Sequence, residues 1–206
     1  GRHPDEVVFV KSLREDLARR DFTINALAYS EKTGLVDLFY GEEALCNSVI
    51  VCPGDARIRF KEDNLRRLRA IRFACQFGFT LHYTVEKALM ENPERISMLS
   101  QERIRDEFSK ILMSTSPVYG MRYLHRFGML EYIMPELEAC YGFNQMNEHH
   151  CYSLFEHIMH VLDGMPRILE LRLAALLHDI AKPQCFALDD NGKGHFYMHH
   201  VVGEDM

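Results

Sequence analysis

Tryptophan is missing from the 206 residues, the seven prolines are scattered, and no segment is of low complexity. Apolar residues make up 47% and charged residues 26%, so a packed core is expected and disordered or collagen-like classes are excluded. The length suits one large domain or two small ones. No apolar run approaches the roughly 20 residues that a membrane-spanning helix requires. No signal-peptide pattern follows Gly1, so a cytoplasmic protein without a membrane role is expected. The six cysteines, at 46, 52, 75, 140, 151 and 185, form no Cys-x-x-Cys pair and favour free thiols over a disulfide framework. Cys151 stands near His149 and His150 without a third orienting group, which argues against a nucleophilic thiol.

The net charge of −6 conceals a split. Residues 1–110 carry 18 Lys and Arg against 18 Asp and Glu, whereas residues 111–206 carry 6 against 12 and hold nine of the eleven histidines. The first part offers an anionic ligand a basic surface. The second, acidic and rich in histidine, suits a metal site.

Val7–Val10, Leu27–Tyr29 and Val49–Val51 read as short strands, with Gly34 and Gly41 marking turns, and Ser12 opens a short helix over Glu15–Arg20. Past Pro53 the strand pattern fades. Apolar residues at helical spacing predict helices over Leu65–Phe77, Val85–Met90, Gln101–Met113, Val118–Arg126, Tyr152–Leu162 and Leu169–Ile180, separated by glycines and prolines. The fold class expected is mainly α, with a small α/β remnant ahead of a helical body. The methionines and Phe127, Tyr132, Phe143 and Phe155 follow the same spacing and read as packing residues.

Three groups of residues carry chemistry. Residues 15–26 are dense in groups that bind polyanions and hydroxyls: Arg19 and Arg20 supply forked donors for phosphate, and Asp21 and Asn25 would hold a ribose or orient the arginines. A solvated, salt-bridged helix end would look the same. In the second group Asp63, Arg66, Arg69 and Arg72 stand three residues apart. Each step of three turns a helical side chain back by about 60°, which makes a slanted ridge with Arg72 at the edge of the apolar face. A carboxylate followed by guanidiniums can meet a base edge through Asp63 and Arg66 and reach sugar and phosphate through Arg69 and Arg72, although a basic solvent face has the same spacing. The third group is the ordered set His157, His178-Asp179 and His199, for which structural histidines on apolar helices are the plain alternative.

Residues 15–26 resemble motif B, and residues 62–72 motif D, of the bacterial-type (class II) tRNA nucleotidyltransferase and poly(A) polymerase family. Residues 34–41 are similar to its motif C region, and residues 100–107 to the helix that closes its nucleotide pocket. The resemblance implies a partial nucleotidyltransferase head over 1–51, a helical neck with a nucleotide-binding motif over 52–113, a helical body over 114–150 and a partial HD domain over 151–206. It implies addition of CMP and AMP from CTP and ATP to the tRNA 3′ end, with Arg20 on the triphosphate or ribose and Asp63 and Arg66 as a protein template. Arg69 and Arg72 would complete the pocket. The Mg²⁺-binding carboxylates of the family lie on a Gly-rich hairpin upstream of motif B. Asp5 and Glu6, side by side in a loop, do not replace them, so no catalytic residue is expected within these 206 residues and no turnover by them alone.

His157, His178 and Asp179 resemble an HD metal site, with His195 and His199 matching further histidines of related enzymes. Such a mixed imidazole and carboxylate set suits Ni²⁺, Mn²⁺ or Zn²⁺ better than Mg²⁺. Ala181 replaces a usual glycine, and Met206 comes before the final aspartate of the pattern, so an absent or weakly held ion is expected, with His199 as substitute ligand. Two other readings remain at this point: an HD-type metal-dependent phosphohydrolase, and a non-catalytic RNA- or nucleotide-binding module.

Overall fold

The computed structural model describes residues 12–146 and 152–206. The strand expected at Val7–Val10, and Asp5, Glu6, His149, His150 and Cys151, lie outside the described residues. Helix α1 (Leu13–Ala18) leads through a 3₁₀ turn (Thr23–Asn25) into an antiparallel hairpin of β1 (Leu27–Ser30) and β2 (Gly34–Asp37). Helix α2 (Gly41–Cys46) follows at once, started by Asp37, whose carboxylate accepts the backbone N–H groups of Phe39, Gly41 and Glu42 at 3.2, 2.9 and 2.9 Å. Only glycine fits at 41, because a Cβ there would stand 2.4 Å from the carbonyl oxygen of Thr23. Strand β3 (Val49–Ile50) runs parallel to β4 (Thr80–Leu81).

Between those two strands come α3 (Ala56–Glu62), capped by the Asp55 side chain, and α4 (Leu65–Phe77), closed by Gly78 at φ 70°. Next are α5 (Tyr83–Leu89), a 3₁₀ turn (Pro93–Met98), α6 (Gln101–Leu112), α7 (Pro117–Arg126), α8 (Leu130–Ile133) and α9 (Pro135–Ala139). The remainder holds α10 (Leu154–Asp163), α11 (Leu169–Leu177), an antiparallel hairpin of β5 (Phe186–Leu188) and β6 (Gly194–Phe196), and α12 (His199–Asp205). The architecture is mainly α, as the spacing predicts.

One connected core runs from Phe22 through Leu68, Ile71, Ile111 and Phe127 to Phe155 and Leu176. Two buried arginines tie helix ends together. Arg67 donates to the Ala88 and Leu89 carbonyls at the end of α5, at 3.2 and 3.1 Å. Arg172 of α11 donates to the Leu112 and Ser114 carbonyls at the end of α6, where Arg167 also binds the Met113 carbonyl. Unmated C-terminal carbonyls are thereby satisfied inside the protein.

Several expectations are corrected. The strand pattern does not end at Pro53: β4, β5 and β6 lie beyond it, each only two or three residues long and so without readable alternation. Gly34 opens a strand as well as a turn, α1 ends two residues before Arg20, and α10 starts at Leu154 rather than Tyr152. Tyr132 is 38% exposed, while Phe127 and Phe155 are buried as expected. The predicted four-residue ridge breaks at its first member, since Asp63 sits in the extended break between α3 and α4 at φ −147°, ψ 109°.

Candidate functional site

A cleft of about 790 Å³ opens between α1 and the N-terminal half of α4. Its α1 wall is cationic but internally braced: Asp16 accepts from Arg19 at 2.6 Å and from Arg20 at 2.9 Å. Those hydrogen bonds, Arg20's first and then Arg19's, hold the Asp16 carboxyl below its ordinary pKa. Both arginine side chains are about half exposed, with room to exchange a carboxylate partner for a phosphate.

The floor is set by Asp21, which is 8% exposed. Its Oδ1 accepts from the Phe22 N–H at 2.9 Å and from Asn25 Nδ2 at 3.0 Å, while Oδ2 takes Arg69 Nε and Nη2 at 2.7 and 2.5 Å. Arg69 lies 5.3 Å over the ring of Phe73, which also lines the cleft. Thus Asp21 and Asn25 orient an arginine, which is one of the two roles that their residue types allow.

Asp63 and Arg66 face the same cleft from the start of α4. Arg66 is fixed by three acceptors: the Arg59 carbonyl at 3.1 Å, Glu62 at 2.7 Å and the Arg19 carbonyl at 2.7 Å. A guanidinium has five N–H groups, so these leave two donors. Asp63 accepts the Leu65 N–H at 3.0 Å and is bridged by Arg103 Nη2 of α6 at 3.2 and 3.1 Å. Arg72 does not line the cleft. Its side chain turns inward, 12% exposed, onto Glu107 at 2.9 Å, and stacks 4.1 Å over Phe73. Asp16, Phe73 and Arg103 also line the cleft; the sequence does not single them out, although Asp16 lies within residues 15–26 and Arg103 within the pocket-closing resemblance over 100–107.

A second cluster forms where α10 meets the end of α11. His157 Nε2 lies 3.1 Å from His178 Nε2, and Asp179 Oδ2 lies 3.4 and 3.2 Å from those two nitrogens. His199 Nε2 approaches the other oxygen of Asp179 at 3.5 Å. The ligand atoms of His157, His178 and Asp179 all fall within 4.8 Å of one another. Burial alone would raise the Asp179 pKa, but hydrogen bonds from His178 and Lys182 hold it well below the carboxylate range. The Asp179 hydrogen bond in turn raises His178 against the effect of burial. Lys182, at 2.7 Å from Asp179 Oδ2, is a cation that the sequence reading did not include. His195 is engaged elsewhere, on Asp189 at 2.9 Å.

The description "Poly A polymerase head domain" matches residues 1–51, and "Probable RNA and SrmB- binding site of polymerase A" matches residues 78–141. The A-adding tRNA nucleotidyltransferase of Deinococcus radiodurans is 35% identical over 98% of this chain and 48% of its own length. The CCA-adding enzyme of Lactiplantibacillus plantarum is 43% identical over 67% of this chain and 34% of its own length. The chain belongs to the class II tRNA nucleotidyltransferase and poly(A) polymerase family. It spans between a third and a half of the length of these two relatives. Among solved structures of the family, the Bacillus stearothermophilus CCA-adding enzyme in complex with CTP superposes with a TM-score of 0.62. It is 30% identical and covers 82% of this chain and 47% of its own.

Proposed function

We propose that this chain selects CTP and ATP for addition of CMP and AMP to the 3′ end of tRNA. The observation that carries the reading is that Asp63 and Arg66 share one cleft with Arg19, Arg20 and Arg69. A carboxylate accepts from the exocyclic amino groups of cytosine and adenine and meets only oxygen at the same place on uracil and guanine. Arg66 supplies the neighbouring donor, and the α1 arginines with Arg69 supply charge for the triphosphate. Arg72 supports Phe73 from below rather than reaching the ligand.

Enzymes of this family use divalent metal; we assign Mg²⁺ as the ion. The cleft carboxylates do not fit a two-ion site, because Asp16, Asp21 and Asp63 are each already paired with arginine. These carboxylates therefore hold no transfer ion in this reading, and residues 1–206 are expected to bind nucleotide without transferring it. In this reading 1–51 belong to the head, 52–113 to the neck, 114–150 to the body that meets tRNA, and 151–206 to an HD-type unit. No helix among the described residues is long and apolar enough to cross a membrane; with tRNA as the proposed substrate, we assign this chain's work to the cytoplasm.

The His157 cluster favours a second activity in that last unit. Its two imidazoles and one carboxylate fit a transition metal, with His199 available as a further ligand, and such an ion supplies a water of lowered pKa for attack on a phosphoester. His178 is oriented by donating from Nδ1 to the Ala175 carbonyl at 2.9 Å, which leaves Nε2 for the ion.

Equilibrium dialysis of the chain with each of the four nucleoside triphosphates tests the first reading, with CTP and ATP expected to bind and UTP and GTP to be rejected. Incorporation of labelled CTP into tRNA lacking CCA by these residues alone would overturn the assignment of the transfer carboxylates elsewhere. Equal binding of all four nucleotides would reduce the chain to an unselective nucleotide- or RNA-binding module.

A further inference from the structure

We infer that Arg103 is a selectivity-determining positioning residue, which fixes the plane of the Asp63 carboxylate so that the cleft reads an amino group rather than a carbonyl. The inference rests on the reading of Asp63 and Arg66 as the base-contacting pair.

Two observations and the softness of an aspartate's terminal torsion carry it. Asp63 stands on extended backbone between two helices, not on either of them. The terminal torsion of an aspartate is broad, so one backbone contact does not set its plane. The Leu65 N–H binds only Oδ1, whereas Arg103 Nη2 bridges Oδ1 and Oδ2 at 3.2 and 3.1 Å. Of about four acceptor positions on a carboxylate these contacts use three and leave one, on Oδ2.

Arg103 also stands in the first turn of α6, where the helix dipole disfavours a cation. Its place there is compensated by a carboxylate 40 residues earlier in the chain. The helix that carries it is firmly held. One turn on, Glu107 is buried against Arg72 of α4, and at the far end the carbonyls of Leu112, Met113 and Ser114 are bound by Arg172 and Arg167. A guanidinium reaching Asp63 from that base has a fixed origin.

The pair itself is half exposed, with side-chain accessibilities of 46% and 36%. Pairs of that kind add little to stability, so a structural role and a selecting role separate cleanly. Neighbouring Arg105 is 73% exposed, pairs with Asp106 at 3.4 Å, and serves as the control.

The test is calorimetric titration of the 206-residue chain, and of its Arg103→Ala, Arg103→Lys and Arg105→Ala variants, with CTP, ATP, UTP and GTP, alongside thermal melting. Arg103→Ala is expected to lower the CTP:UTP and ATP:GTP affinity ratios by about tenfold, the scale of one misplaced base-edge contact, with little change in melting temperature. Arg103→Lys, which keeps one ammonium able to bridge both oxygens, is expected to restore part of the ratio, and Arg105→Ala to leave it intact. An unchanged ratio in Arg103→Ala, or an equal loss for all four nucleotides, overturns the inference while leaving the base-contacting pair standing. A wild-type chain that binds the four nucleotides alike removes the underlying reading, and the inference with it.

Discussion

Asp21 holds Arg69 from 48 positions away, with Oδ2 accepting from both Nε and Nη2. The contact joins the segment after α1 to the middle of α4 and closes the floor of the cleft. Asp21 is nearly enclosed, and its other oxygen is taken by the Phe22 N–H and Asn25. Replacing it leaves Arg69 without its acceptor in a half-buried place. Asp21→Ala is expected to lower unfolding free energy by about 1–3 kcal/mol, the cost of stranding a buried hydrogen-bonding group, measured by urea denaturation. The same variant should weaken binding of all four triphosphates alike, because the proposed reading assigns Arg69 to the phosphates rather than the base. A selective loss for one base would place Arg69 at the base edge.

Arg66 gives a contrasting outcome. Its three protein acceptors hold it in place, and in the proposed reading its contribution goes to discrimination. Arg66→Ala should cost about 1–3 kcal/mol of preference for the correct base, while affinity for inorganic triphosphate changes little. Titration with CTP, UTP and triphosphate alone separates the two. Equal loss on all three would make Arg66 a phosphate ligand.

These two arginines were legible in the sequence, because a run of three-residue spacings on a strongly helical segment places them without knowledge of the fold. Arg103 was placed only as part of residues 100–107, because its contact is with a carboxylate 40 residues away, and Phe73 was not legible, because a single aromatic beside Arg66 and Arg69 belongs to no apolar period. Helix α3 escaped notice because only Ala56 and Phe60 are buried in its seven residues, too few to show a period. The metal-type cluster was legible for a different reason: the residue types and order of His157, His178 and Asp179 carry the pattern. What the pattern omitted was Lys182, since a lysine is no ligand and its pairing with Asp179 is a matter of helix-end geometry.

Asp37 predicts an acid limb in the stability profile. Burial opposes its charge, but backbone N–H groups, with those of Glu42 and Gly41 foremost, outweigh it and hold its folded pKa below the ordinary value. A lowered folded pKa adds stability that is complete above the unfolded value of about 4 and fades as pH falls through the folded value. Asp37→Asn should flatten that part of the curve and cost about 1 kcal/mol at pH 7 through the weakened start of α2. Chemical denaturation from pH 7 to pH 3 reads both, and an acid limb unaltered in the variant would assign the effect to other carboxylates.

The His157 cluster makes the last prediction, and Lys182 decides its direction. Ligand atoms of His157, His178 and Asp179 lie within 4.8 Å of one another, a spacing that fits one ion in the proposed reading. Titration with Zn²⁺, Ni²⁺ or Mn²⁺ should show one equivalent bound, and Asp179→Ala should abolish it while CTP affinity stays unchanged, because no residue of the cluster lines the nucleotide cleft. Lys182 donates at 2.7 Å to the same Oδ2 that the two imidazoles face. It therefore competes with an incoming cation for a lone pair and repels it. Two unit charges about 4 Å apart interact by about 4 kcal/mol at an effective dielectric of 20, and an exchange in which the lysine swings away recovers much of that. Lys182→Met is therefore expected to bind metal at least about tenfold more tightly than the unmodified chain, a gain of about 1.4 kcal/mol, which is well within that electrostatic term. A phosphodiesterase or phosphatase activity, if carried by this site, should rise with metal occupancy in Lys182→Met and vanish in Asp179→Ala. Weaker metal binding in Lys182→Met would mean that the ammonium orients Asp179 for the ion instead of standing in its place.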